Sequence, residues 1–120
     1  MHNLSYITAD LAAKRVTVRT DIVELPFKTD CFDAIICNHV LEHVVDDRTA
    51  MKELYRILKP GGWAVVQSPL DVNRNETFED FNVVLPQDRE RLFGQFDHVR
   101  IYGLDYRGRL EEAGIPSTCR

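Results

Sequence analysis

The residues of this chain best suited to chemistry fall in one short stretch. Asn38 and His39 follow the apolar run Phe32-Asp33-Ala34-Ile35-Ile36-Cys37, and His39-Val40-Leu41-Glu42-His43 adds a carboxylate and a second imidazole. Such groups accept and donate hydrogen bonds, move protons or hold a metal ion. The pentad fits the inverted zinc-peptidase pattern H-x-x-E-H, in which two histidines four residues apart on a helix bind zinc and the glutamate activates water. That chemistry needs the pentad inside a helix and a third ligand from elsewhere. Here the pentad begins where an apolar strand ends and Val44-Val45 precedes the next helix start, so no metal site is expected. Two further carboxylates, Asp10 and Asp21, each close a short β-branched segment, Tyr6 to Asp10 and Val16 to Ile22.

Phe32 to Asn38 is a buried strand, and Trp63 to Ser68 is a second one, stopped by Pro69. Between them Ala50, Met51, Leu54, Tyr55 and Leu58 recur at three- and four-residue spacing, the apolar stripe of a helix packed on a sheet. Asp46 or Asp47 suits its N-terminus, and Lys59-Pro60-Gly61-Gly62 its stop. Strand, helix and strand make a βαβ unit, whose ligands sit beyond the strand carboxyl ends. Asn38-His39 lies there. Tyr6–Asp10 and Val16–Ile22 also read as strands, but Leu11 to Arg15 is too short for the crossover helix that parallel neighbours need. One tight helical turn, or less regular strands, is the expectation. Pro86 to Phe93 reads as a helix entered through proline, Phe96 to Tyr102 as a loop or short edge strand, and Asp105 to Ala113 as a helix ended by Gly114.

Composition narrows the function classes. With 120 residues, 44% apolar and 28% charged, one soluble globular domain is expected. A net charge of -4 without a basic run argues against a nucleic-acid partner. No apolar run approaches the roughly 18 residues of a membrane span, so no membrane partner is expected. Three cysteines at irregular spacing, Cys31, Cys37 and Cys119, suit reduced thiols and a cytoplasmic location. Cys37 reads as a small buried hydrophobe.

Asp10 after a strand, Asp21-Ile22 followed by Leu25-Pro26-Phe27, Phe32-Asp33 opening a strand that ends in Asn38-His39-Val40-Leu41-Glu42-His43, and Leu58-Lys59-Pro60-Gly61-Gly62 together resemble class I S-adenosylmethionine-dependent methyltransferases of the small-molecule type. The likeness covers Tyr6 to Leu70 and, more loosely, Phe93 to Leu110. It implies an α/β class, a partial Rossmann-like fold with a mostly parallel sheet and flanking helices, in one truncated domain over residues 1–120. It implies S-adenosylmethionine as cofactor and a small-molecule methyl acceptor. Asp10, with Leu11 beside it, matches the acid that accepts from the cofactor ribose hydroxyls. Asp21 matches the acceptor for the adenine amino group, with Ile22 supplying backbone N–H and an apolar wall. Asn38 and His39 match the turn facing the methionine moiety and the sulfonium. His98 and Tyr102 lie in the region that covers the acceptor side, although His98 by itself reads as a packed or surface histidine, and no catalytic residue is assigned.

The chain departs from the family in one respect that matters. The glycine-rich loop of the family's first strand belongs before Tyr6, yet no Gly-x-Gly occurs and the first glycine is Gly61. The second and fourth family strands would then flank a gap with unpaired backbone groups. Self-association that completes the sheet is one expectation. The other is a non-catalytic remnant or binding module without a full cofactor site.

Overall fold

The computed structural model describes residues 4–11 and 14–115, with side chains from Asp21 to Ile115. Its main sheet has the order β2-β1-β3-β4. Strands β1 (Leu4–Leu11) and β2 (Lys14–Asp21) form an antiparallel hairpin, paired from Leu4 with Asp21 to Leu11 with Lys14. Only Ala12 and Ala13 separate them in sequence, which forces the chain to reverse. Leu11, Lys14 and Arg15, expected in the connection, belong to the paired strands, and Ala12 and Ala13 lie outside the described residues. β1 also pairs antiparallel with β3 (Phe32–Asn38), Thr8 to Asp10 opposite Ile36 to Ala34. The expected gap beside β3 is filled by the chain's own β1.

The βαβ unit carries the α/β, partial Rossmann-like character. β3 and β4 (Leu58–Gln67) run parallel, joined by α1 (Asp47–Ile57). Asp46 caps α1, accepting from the Thr49 N–H at 3.1 Å and the Thr49 hydroxyl at 2.7 Å. Ala50, Met51, Leu54 and Ile57 are fully buried against Ile22, Ile35, Cys37 and Leu41. Each large aliphatic side chain so buried contributes about 1.5–3 kcal/mol. Tyr55, expected on the same face, is half exposed and lies instead over Gly114. The structure starts β4 at Leu58, before the glycines rather than after them. Its register with β3 slips between Phe32–Leu58 and Ala34–Trp63, so Lys59-Pro60-Gly61-Gly62 is absorbed as an irregularity of the strand. Gly62 is required there, because a Cβ would stand 2.7 Å from the Asp33 carbonyl oxygen.

The remaining elements close over the carboxyl end of this sheet. β5 (Phe78–Glu79) and β6 (Arg100–Ile101) pair antiparallel, and α2 (Pro86–Phe93) and α3 (Tyr106–Glu112) follow their predicted segments. Leu70 bridges to Tyr102, tying this layer to the end of β4. Among the described residues no helix is long and apolar enough to cross a membrane.

Candidate functional site

The site is built on the turn that leaves β3. Asn38 is exposed and pairs with Gln67 of β4. His39 follows with φ +56, a left-handed conformation uncommon for histidine, and its N–H donates to the Gln67 carbonyl at 2.8 Å. That reversal directs Val40 and Leu41 into the core, where they are 5% and 1% exposed, and starts a 3-10 turn over Leu41–His43. The pentad therefore forms no α-helix, and His39 and His43 share no helical face. Glu42, on the turn, is 2% exposed.

A buried carboxylate must be compensated. Oε1 of Glu42 accepts from the Ser68 hydroxyl at 2.8 Å, while Oε2 lies 3.6 Å from His39 Nδ1 and 3.9 Å from His43 Nε2. His43 Nδ1 stands 3.3 Å from both the carbonyl oxygen and the Oδ2 of Asp97. Its ring meets that of His98 edge to face at 4.7 Å between centroids. His98 is 5% exposed. Burial, and then the neighbouring His43, holds its imidazole below the ordinary value of 6.5. Glu42 and His98 line a cleft of about 250 Å³ whose other walls include Pro69, Phe93, Gln95 and Ile101.

Arg100 fixes the turn from beneath. Its fully buried guanidinium donates to the carbonyls of Leu41 (2.6 Å), Val44 and Val45 (2.8 Å), and to Glu79 Oε1 at 2.9 Å. It thereby satisfies the carbonyls that end the 3-10 turn. Arg109 bridges Asp47 and Glu79, each at 2.9 Å, and the Tyr102 hydroxyl donates to Asp47 at 2.6 Å. Sequence reading passed over Arg100 and its partners. No alternation marks Arg100, because β6 covers only Arg100–Ile101 and His98, Val99 and Arg100 are all buried.

The structure brings only some of the predicted residues together. Since β2 is antiparallel to β1 and β1 to β3, β2 runs parallel to β3, and Asp21 ends at the same sheet edge as Asn38 and His39. Asp21 accepts from the Val23 N–H at 3.1 Å in a local turn. Ile22 is fully buried in the core. Asp10 and Leu11 lie at the other edge, Asp10 opposite Ala34, because the hairpin reverses β1. Their side chains lie outside the described residues. A larger cleft of about 490 Å³, lined by residues including Asp30, Tyr55, Lys59 and Gly61, sits at the amino end of β3, far from the Glu42 turn. Cys37 is inert as a nucleophile, its thiol pushed up to about 12 by burial and then by the charge of Glu42.

Comparison with known proteins follows this geometry. A family model described as "Methyltransferase domain" matches residues 3–66. The chain is 39% identical over 117 residues to a chloroplastic 2-phytyl-1,4-beta-naphthoquinone methyltransferase of Arabidopsis thaliana, covering 85% of this chain and 44% of that enzyme. It is 50% identical over 46 residues to a demethylmenaquinone methyltransferase of Streptomyces avermitilis, covering 38% of this chain and 20% of that enzyme. The chain thus spans less than half the length of these curated relatives. Among solved structures, a protein assigned to the methyltransferases from Bacillus halodurans C-125 superposes with a TM-score of 0.57 at 29% identity, over 81% of this chain and 40% of that one. The [4+2]-cyclase SpnF shares the fold, with a TM-score of 0.59 at 22% identity over 78% of this chain and 30% of that one.

Proposed function

The chain belongs to the methyltransferase domain family, and from that membership we propose that it serves methyl transfer from S-adenosylmethionine to a small acceptor of the quinone class. The names of its relatives support the acceptor class. The observation that carries the reading is the carboxyl edge of β3. There Asp21, Asn38 and His39 lie along one edge, beside a cleft walled by Phe93, Pro69 and Ile101. Asn38 and His39 would face the sulfonium end of the cofactor, the Asp21 carboxylate its adenine amino group, and Ile22 would contribute backbone only. Asp10 and Leu11 stand outside this set. The apolar cleft walls suit a flat ring, and holding that ring in line with the sulfonium methyl supplies much of the catalysis.

One observation favours the non-catalytic alternative: β1 occupies the place beside β3 that the family gives to its glycine-loop strand. Titration of the purified chain with S-adenosylhomocysteine by calorimetry separates the two. Binding that weakens about tenfold or more in Asp21→Ala and Asn38→Ala, but not in Asp10→Ala, is the expected result. No heat at millimolar cofactor would leave the fold without its activity.

A further inference from the structure

The turn that leaves β3 holds a second constellation. Both atoms facing His43 Nδ1 are oxygens of Asp97, a carbonyl and a carboxylate, at 3.3 Å. Neither donates, so Nδ1 faces two acceptors, and Nε2 faces Glu42 Oε2, 3.9 Å away. That separation is too long for a hydrogen bond. A cation held between the two atoms would bind both. His98 completes the group, and one ligand atom from each of Glu42, His43 and His98 lies within 4.8 Å of the others.

We propose that Glu42, His43 and His98 form a mononuclear zinc-type site opening onto the cleft beside Pro69 and Phe93. Two imidazoles and one carboxylate are the donor set of many open zinc centres, which keep a fourth position for water or ligand. Ligand atoms around tetrahedral zinc stand about 3.3 Å apart, so the three groups need to close by up to about 1.5 Å. The outer partners are already in place. Asp97 faces His43 Nδ1, and Ser68 holds the far oxygen of Glu42. Glu42 and His98 line the cleft, which gives the ion a way in. The third ligand that the pentad lacks in sequence comes from 55 positions beyond His43, whereas His39, the other histidine of the pentad, takes no part.

The site opens onto the cleft that the methyl-transfer reading gives to the acceptor, and it is tested without turnover. The full chain, stripped with chelator and dialysed, is titrated with Zn²⁺ by calorimetry and with Co²⁺ by visible absorption. One ion per chain, tetrahedral cobalt bands and a raised Tm are expected. His98→Gln and His43→Gln should each weaken binding by about 100-fold, and His39→Ala should leave it unchanged. Circular dichroism of the metal-free variants checks that they fold. Should His98→Gln unfold, His43→Gln on its partly exposed ring decides. Failure to retain zinc, or a loss in His39→Ala equal to that in His43→Gln, would overturn the assignment in favour of adventitious histidine binding.

Discussion

At the residue scale the chain's charge is concentrated where it does structural work. Two arginines and two carboxylates, Arg100, Arg109, Asp47 and Glu79, sit at or beneath the surface in one hydrogen-bonded network. Breaking such a buried pair by removing one partner costs about 3–5 kcal/mol, because the other charge stays behind. Burial raises the carboxyl of Glu79, but the hydrogen bonds and charges of Arg109 and Arg100 outweigh it and hold the group below its ordinary 4.5. The hydrogen bond from Arg56 lowers Glu53 in the same direction. A carboxyl whose folded pKa is depressed adds stability that is complete above its unfolded pKa and is lost as pH falls through the folded one. Unfolding free energy from urea melts is therefore expected to fall as pH drops below about 6.5, where the unfolded state protonates His98 and the buried ring does not, and to fall further below about 4.5 as the carboxyls take protons. A flat profile down to pH 3 would contradict this account. The network was legible only in part. A lone arginine between Val99 and Ile101 looks like solvated surface, and no alternation betrays its burial, since His98, Val99 and Arg100 are all buried.

At the scale of elements, local chemistry was the most readable part of the chain. Asp46 caps α1, Pro86 opens α2 and Gly114 follows α3 with φ +101, each where turn and cap preferences put it. Asp46→Ala should lower stability by about 1 kcal/mol through loss of the Thr49 contacts. Gly114→Ala should cost about 1–2 kcal/mol, since its backbone is left-handed and the new Cβ would lie 2.9 Å from the Tyr55 ring. Thermal melts of both variants read these directly, and an unchanged Tm for Gly114→Ala would mean that the turn relaxes. Element ends were less readable. Proline and two glycines after Leu58 announce the end of a helix, but β4 begins there at once, because parallel pairing with β3 tolerates an irregularity that the sequence pattern does not reveal.

At the scale of the whole molecule, the sequence pointed to the right unit and the wrong neighbourhood for part of it. The β3-α1-β4 unit is long, periodic and punctuated, so its parallel pairing could be read directly. The direction of β1 could not be taken from family likeness, because two intervening residues permit only a reversal. That one reversal carries Asp10 to the opposite edge from Asn38 and fills the place beside β3. The open edges therefore belong to β2 and β4, and self-association has to be argued from them. On β4, Trp63 is 53% and Val65 37% exposed, opposite Ala34 and Ile36 of β3, while Ala64 and Val66 face the core. An edge strand with an apolar outer face is a template for pairing with a second copy. Sedimentation should show a dimer whose fraction grows with concentration, and Val65→Lys should dissociate it by placing a charge on that strand. The substitution sits on an exposed position, so the monomer it yields should melt near the parent temperature. A parent chain that stays monomeric at every concentration would show that β4 is protected by its own irregular start and needs no second copy.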